Sequence, residues 1–521
     1  MSLASVARLL AGFAVFFTAV QAVPLLFAFF EAPSDYDTRT GFGGSMAIGF
    51  LVAVLLWLAG RSSDREFHRR EGIAVVGFAW TLAGVLGGIP FVWSGALHSG
   101  VDATFETISG LTTTGATVLG ASATPAIESL PPSLLLWRSL LQFSGGLGII
   151  LVFIILLPAM GVTGKSLLAS EQTGVSTGLS EPRLLEQARA LFRCFLVLNA
   201  LCALGYWATG MSPFEAACHA MTTMSTGGYS TRNLSIGAFD HVGVEVVATV
   251  AMFLGGCNFA WMVAIARSRG RDTRRILQIP ELRVYAAMVG SSIAAATLAL
   301  WLRGGPLPNG SELRDYTSLA RCFRDAAFNI TSIFTSTGFA TADFQNWPTL
   351  ALLCVLLGML VGSCTGSTAG GIKMLRVAVC ARLAAYHGRR FIRPKSVERL
   401  KLGGEVVADP VVSAILAIVV LWLAIVAIGA FVFATDPRLD PMSCLSMSAT
   451  FMGNTGPALN GVLVEAGQAK LTNSIAINLG PYGSFGDLPA YLKLWGMVQM
   501  LLGRLEIMAL LVFLSPRFWR R

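Results

Sequence analysis

Long apolar runs recur along the whole length of this 521-residue chain, and they constrain its fold more than any other feature. A run of roughly 18 or more apolar residues can cross the hydrocarbon core of a bilayer as a helix. In lipid, every backbone N–H and C=O must be satisfied internally, which leaves helices or closed barrels. Segments 6–30, 43–60, 71–97, 133–158, 187–209, 243–266, 283–303, 348–385 (interrupted), 410–434 and 489–514 read as ten spans. The chain is therefore expected to be an all-α polytopic membrane protein. Its charged fraction of 13% agrees with this, against about 25% in a soluble domain. The first run is too long for a signal-peptide core and lacks a small-residue cleavage site, so it reads as a helix.

The composition gives little support to catalysis. The nine cysteines (194, 202, 218, 257, 322, 354, 364, 380 and 444) form no CxxC pair and fall mostly in apolar segments, where they read as small hydrophobes. The five histidines are scattered, and no phosphate-binding, dinucleotide or nucleophile-elbow motif is present. The chain does not read as an enzyme. Its net charge of +9 lies in short clusters at 61–70, 267–275, 386–401 and the terminal SPRFWRR. That pattern is the positive-inside bias, not a nucleic-acid surface. It places those loops in the cytoplasm and the segments near 31–40, 100, 210, 310 and 437 outside. An even number of spans puts both termini in the cytoplasm.

A polar, glycine-bearing stretch recurs four times between apolar spans: TTTGAT (112–117), MSTGGY (224–229), TSTGFA (335–340) and GNTGPA (453–458). Aligned on the Thr-Gly dipeptide, the glycines are Gly115, Gly227, Gly338 and Gly456, spaced 112, 111 and 118 residues apart. About twelve residues precede each one, too few to cross a bilayer but suited to a re-entrant helix. Helix-start signals appear at Asp102, at Ser212-Pro213 with Glu215, at Asp325 and at Asp440-Pro441. The span after each stretch has a glycine-rich core: QFSGGLG (142–148), MFLGGCN (252–258), MLVGSCTGSTAGG (359–371) and MLLGRLE (500–506). Gly145, Gly255, Gly362 and Gly503 then fall in register.

The chain is thus expected to hold four pseudo-symmetric units, each of span, re-entrant helix, Thr-Gly strand and span, around one pore. The expected divisions are 1–65 (two extra helices), 66–180, 181–280, 281–400 (with the interrupted second span) and 401–521. Non-helical backbone at membrane depth is tolerated where it lines a water-filled path. Four such strands can offer carbonyl oxygens to a dehydrated cation. Glycine supplies the positive φ that aligned carbonyls require. The C-terminal ends of the short helices add negative potential. The candidate selectivity-filter residues are Thr113, Thr114 and Gly115; Ser225, Thr226 and Gly227; Ser336, Thr337 and Gly338; and Asn454, Thr455 and Gly456.

These four segments, GSCTGSTAGGIKMLR (362–376) and LLGRLEIMALLVFLSPRFW (501–519) together resemble the Trk/Ktr/HKT superfamily of potassium transporters, specifically its TrkH branch. The resemblance covers nearly the whole chain. Ten spans suit that branch better than the eight-span Ktr branch. It implies a bacterial inner-membrane protein that carries potassium ion, with no organic cofactor. It also implies a homodimer with one pore per protomer, set in membrane lipid and regulated by cytosolic nucleotide-binding TrkA-type subunits. The strands lack a GYG sequence, so fewer carbonyl tiers and weaker selectivity are expected.

Two features read as gates. Gly362, Ser363, Cys364, Thr365, Gly366, Ser367, Thr368, Ala369, Gly370 and Gly371 cannot hold a continuous helix. They read either as a kinked or closely packed helix or as a flexible loop beneath the filter. The loop reading matches the family's intramembrane gating loop. Lys373 follows, placed to anchor the loop or to repel cations. Arg504 aligns with Gly146, Gly256 and Ser363, so one unit carries a fixed charge where three carry small residues. Intramembrane charge defaults to a functional reading, here an electrostatic barrier; a salt bridge or a snorkelling side chain is the alternative. Glu506 lies on a different helix face and is a poor local partner, which leaves Arg138 and Asp487 as distant candidates. The leading function is a gated, K⁺-selective, channel-like pore. The second is a potassium symporter coupled to H⁺ or Na⁺, since broken helices also suit transporters.

Overall fold

The computed structural model describes residues 2–62, 69–159, 181–309, 312–393, 400–403, 405–465, 468–471, 477–505, 507 and 516. Helices dominate. Leu3–Val20 (α1) and Ala22–Phe30 (α2) form one kinked span, followed by Thr38–Ala59 (α3). The first unit contains Arg69–Trp93 (α4), Gly100–Leu111 (α5) and Pro132–Ala159 (α6). The second contains Glu181–Ala208 (α7), Pro213–Met224 (α8), Val242–Gly255 (α9) and Phe259–Arg267 (α10), then the short Thr273–Ile276 (α11). The third contains Pro280–Arg303 (α12), Leu319–Phe334 (α13), Thr349–Leu360 (α14) and Met374–Ile392 (α15). The fourth contains Asp409–Phe433 (α16), Pro441–Gly453 (α17) and Ala490–Arg504 (α18). Three small antiparallel hairpins, at 306–315, 401–406 and 462–471, decorate the loops.

Among the described residues, six helices are long and apolar enough to cross a membrane unaided: Leu3–Phe30, α3, α12, α16 and most of α4 and α7. The pair α9 and α10 would make a seventh, but it bends by 95°. That departs from the continuous span expected at 243–266. The remaining second helices are broken, as α14–α15 is, or run into residues outside the described set, as α6 and α18 do. The segments 61–70, 159–186, 386–408 and 501–519, as well as Glu506, fall wholly or partly outside that set.

The four short helices α5, α8, α13 and α17 are present, and three start as their sequence signals demand. The Ser212 hydroxyl accepts from the Glu215 N–H at 3.2 Å and donates to its carboxylate at 2.9 Å, with Pro213 at the first position. Ser212 is thus a true N-cap, and Glu215 meets its hydroxyl where a capping box would have the backbone N–H. Asp440 accepts from the N–H groups of Met442 at 2.9 Å and Ser443 at 3.0 Å. α5 is capped by Ser99, which places Asp102 in its first turn. The fourth expectation is corrected. α13 begins at Leu319, so Asp325 lies inside it, buried and paired with Arg314 at 3.1 Å. This helix is one turn longer at its start than its relatives.

The apolar cores join neighbouring units. Phe105, Trp137, Phe451 and Phe485 tie the first unit to the fourth, with the Phe105 and Phe451 rings 5.9 Å apart edge to face. Tyr285, Phe334, Trp347 and Trp422 tie the third to the fourth, and Phe195, Tyr206, Phe259 and Phe328 tie the second to the third. Large apolar side chains such as Phe16, Leu51, Trp207 and Phe431 face outward, as a lipid-facing surface requires. Packing between units therefore presents the ends of all four short helices to one place.

Candidate permeation site

The four short helices end in the same way. After α5, the Thr113 N–H bonds the Gly110 carbonyl at 3.0 Å and the Thr114 N–H bonds that of Ser109 at 2.8 Å. After α8 the donors are Thr226 (to Thr223, 3.0 Å) and Gly227 (to Thr222, 2.8 Å); after α13, Ser336 (to Ile333, 2.9 Å) and Thr337 (to Ser332, 2.8 Å). After α17 they are Asn454 (to Phe451, 3.4 Å) and Thr455 (to Thr450, 3.0 Å). This pair of bonds is the Schellman cap, which needs a left-handed residue. That residue is Thr113, Thr226, Ser336 or Asn454, with φ of 52°, 54°, 52° and 52°.

Two residues after each cap stands a glycine of positive φ: Gly115 (80°), Gly228 (78°), Gly338 (80°) and Gly456 (104°). The second unit is therefore out of register with the Thr-Gly alignment by one residue. Gly228 is the counterpart of the other three, and Gly227 occupies the place of Thr114, Thr337 and Thr455. Ser225, expected with the filter triplets, corresponds to Thr112, the end of the helix. Adjacent glycines made the dipeptide ambiguous. The hydroxyl pairs 112–113, 225–226 and 335–336, which mark the caps, carry the correct register.

The glycines close a ring. A Cβ on Gly115 would come closer than 3.0 Å to the carbonyl oxygen of Gly227. One on Gly228 would meet that of Thr337, one on Gly338 that of Thr455, and one on Gly456 that of Thr114, all closer than 3.0 Å. Each unit thus abuts the next, and the fourth returns to the first. Both the positive φ and the neighbouring oxygen demand glycine at these positions. The same four glycines line one cavity of about 220 Å³, whose outer wall includes Arg138, Tyr229, Arg232 and Tyr482.

Polar side chains of the short helices brace each strand as it leaves the ring. Glu106 accepts from the Val118 N–H at 2.9 Å and pairs with Arg138 at 2.9 Å, both fully buried. Arg138 also donates to the Ser230 carbonyl at 3.0 Å and lies over the Tyr229 ring at 4.1 Å. His219 bonds the Ser230 hydroxyl at 2.9 Å. Asn329 accepts from the Thr341 N–H at 3.2 Å, and Ser446 from the Leu459 N–H at 2.9 Å. Farther out, burial raises Asp343 above the usual carboxylate range, against hydrogen bonds from Gln345 and Asn346. Gln345 in turn accepts from the Asn460 N–H of the fourth strand at 3.1 Å. The short-helix braces are 11 to 13 residues from their targets, and the Glu106–Arg138 pair 32 apart. Each brace stands at the same offset before its cap residue, to within one position, but the residue type differs in every unit, so alignment by identity does not mark it.

A family model described as TrkH, cation transport protein, matches residues 41–521. The chain belongs to the TrkH family. It is 31% identical to the Trk system potassium uptake protein TrkH of Halomonas elongata over the full length of both chains. It is 32% identical to the protein of that name from Vibrio parahaemolyticus over 92% of this chain and 93% of that one. The crystal structure of the potassium transporter TrkH from Vibrio parahaemolyticus matches all of both chains with a TM-score of 0.84 at 29% identity. TrkH proteins are membrane transporters, not enzymes.

In this TrkH chain the interrupted third span forms a buried loop beneath the ring. Its neck is closed by Gly362 N–H to Ile372 O at 3.0 Å and Ile372 N–H to Leu360 O at 3.2 Å. Ser363, Cys364, Ser367, Thr368, Ala369 and Gly370 are buried, while Thr365, Gly366 and Gly371 are partly so. The Thr368 hydroxyl lies 3.1 Å from the Met224 carbonyl and 3.2 Å from the Thr226 hydroxyl. The Gly370 N–H bonds the Ser336 hydroxyl at 2.7 Å. The loop therefore rests on cap residues of the ring itself. Lys373 is buried and donates to the Ala369 carbonyl, which closes the loop on itself. Glu281, unremarked in the sequence, accepts from the N–H groups of Thr365 at 2.5 Å and Leu375 at 3.2 Å.

The bend between α9 and α10 accommodates this loop. A helix break frees backbone groups that need partners. The Gly256 carbonyl accepts from Cys364 N–H at 3.0 Å, and Phe259 N–H donates to the Gly366 carbonyl at 3.2 Å.

Arg504 lies in the same place. It is 3% exposed and donates to the Thr368 carbonyl and, at 3.4 Å, to that of Gly145. Among the described residues no carboxylate pairs with it; Arg138 is engaged with Glu106, and Asp487 accepts from Ser122. Burial rules out snorkelling. Arg504 and the loop, two separate expectations, are one contact.

Proposed function

We propose that this chain takes up potassium across the bacterial inner membrane through one gated pore, with both termini in the cytoplasm. The observation that carries this reading is the closed ring of four glycines and four neighbouring carbonyl oxygens. Rings of carbonyls replace the hydration shell of a cation and offer no fixed charge to bind it too tightly. The negative ends of four short helices converge there. Among the described residues, the hydroxyls of Thr113 and Thr455 and the amide oxygen of Asn454 are buried without a protein partner. Such groups call for an explanation, and a passing cation with its residual water supplies one. The filter is Thr113 to Gly115, Thr226 to Gly228, Ser336 to Gly338 and Asn454 to Gly456, in units corresponding to 66–180, 181–280, 281–400 and 401–521.

Beneath it, the loop 362–371 obstructs the path and Arg504 repels cations held there, so the pore is shut until the loop moves. The relatives' name, Trk system, speaks for further components. Homodimers regulated by cytosolic nucleotide-binding TrkA-type subunits are the arrangement we infer. A channel is favoured over an ion-coupled symporter. Glu106, Glu245 and Asp325 are buried inside the protein, and each is held by an arginine. These three are tied by charge and are not free proton carriers; Glu281, buried and held by the N–H groups of Thr365 and Leu375 in place of an arginine, is the carboxylate on which the symporter reading would rest. The test is ⁸⁶Rb⁺ uptake into proteoliposomes with and without an imposed pH gradient. Dependence on that gradient would favour the symporter.

A further inference from the structure

Two residues break the fourfold pattern of the ring, and they touch. In the glycine-aligned second spans, Gln142 stands where the other units have Met252, Met359 and Met500. All four side chains are buried. In the strands, Gly227 stands where the other units have Thr114, Thr337 and Thr455. Gln142 Nε2 donates to the Gly227 carbonyl at 2.6 Å, and its Oε1 accepts from the Tyr229 N–H at 3.0 Å. The amide therefore spans Gly228 from behind, bonding the residue on either side of it. A Cβ on Gly227 would come closer than 3.0 Å to Gln142 Cδ, Oε1 and Nε2. Threonine and this glutamine exclude each other. Among the described residues, no hydrogen bond reaches the carbonyls of Thr114, Thr337 or Thr455.

We propose that Gln142 is a specificity-determining positioning residue that acts on one quarter of the ring from the neighbouring unit. The proposal rests on reading the ring as the ion-coordinating element. An N–H donor fixes the direction of a carbonyl and withdraws part of its lone-pair density. The ring then holds three carbonyls without a donor and one that is tethered. The tether falls on the strand with two adjacent glycines, whose backbone has the most freedom to collapse around a smaller ion. A methionine at 142 would leave the Gly227 carbonyl and the Tyr229 N–H buried and unpaired.

The experiment measures ⁸⁶Rb⁺ uptake into proteoliposomes against competing K⁺ and Na⁺. Gln142→Met and Gln142→Leu are expected to lower the K⁺-over-Na⁺ ratio about tenfold, whatever the absolute flux, the scale set by one buried hydrogen bond. Gln142→Met combined with Gly227→Thr gives the second unit the pattern of the others and is expected to restore the ratio to within about threefold of wild type, the smaller part of one bond's worth. An unchanged ratio in both single variants, with a shift in Gly338→Ser, would overturn the role of Gln142 and leave the ring reading standing. No shift in any of the three would overturn both. Single variants that fail to fold while the double variant folds and selects normally would make the pair structural only, and would also overturn the proposal.

Discussion

At Gly228 two demands meet: a φ of 78°, which side-chain-bearing residues rarely adopt, and a carbonyl oxygen of Thr337 in the space a Cβ would fill. Gly227, one residue earlier, has neither; only the Gln142 side chain crowds it. The two glycines therefore differ in what they protect. Gly228→Ser is expected to lower K⁺-over-Na⁺ discrimination about tenfold or more, because left-handed strain of about 1–2 kcal/mol adds to the displaced ring oxygen. Competition of Na⁺ with ⁸⁶Rb⁺ uptake measures this, and equal ratios in variant and wild type would remove Gly228 from the filter. At Arg504 the side chain meets main-chain oxygens and, among the described residues, no carboxylate, which leaves its charge uncompensated toward the proposed path. Two unit charges about 6 Å apart at an effective dielectric near 20 repel by about 3 kcal/mol. Arg504→Ala should accordingly raise basal flux by about tenfold or more; a folded variant with wild-type flux would contradict the barrier role.

The elements that matter most are the ones that stop early. Each short helix ends in a Schellman cap whose left-handed residue is Asn454 in the fourth unit but a threonine or serine in the other three, so those caps carry strain, and the same cap hands the chain to the ring. α14 stops at Leu360 because four glycines follow within ten residues, and the loop they form fills the space beneath the ring. The loop is held to the ring and to Arg504 by hydrogen bonds to Met224, Thr226, Ser336 and Arg504, and at its flanks by bonds to Gly256, Phe259 and Glu281. Each is worth about 0.5–1.5 kcal/mol net, somewhat more where a charged group takes part. Deleting Ser363 to Ala369 is expected to give flux with no regulatory partner present. A variant that folds and remains closed would show that the loop does not gate. The fourfold plan, the short helices, the broken span and the lone arginine were legible in the sequence, since each is either a repetition or a break in one. The bend at Gly255–Asn258 was not, because its backbone partners come from the loop more than a hundred residues later. The Glu106–Arg138 brace and the Gln142–Gly227 contact were hidden likewise, as they join segments that only the packing of neighbouring units brings together. The register slip at Gly227 had a simpler cause: two adjacent glycines offered two alignments, and only the cap geometry chooses between them.

Over the whole molecule, symmetry builds the ring, and on the proposed reading asymmetry controls it. Four similar units are needed to close the ring, which is why each apolar core joins one unit to another rather than lying within one. The departures from symmetry are the loop of the third unit, the arginine of the fourth and the glutamine–glycine pair of the first and second. All lie within a few residues of the same axis of contacts. The central claim is that this assembly is a gated channel for potassium. It is tested most directly by ⁸⁶Rb⁺ flux into proteoliposomes holding the purified chain, with the Rb⁺ gradient and a pH gradient set independently. The account predicts uptake that follows the Rb⁺ gradient alone and is blocked by K⁺ at lower concentration than by Na⁺. Uphill uptake driven by the pH gradient, or equal block by the two cations, would contradict it.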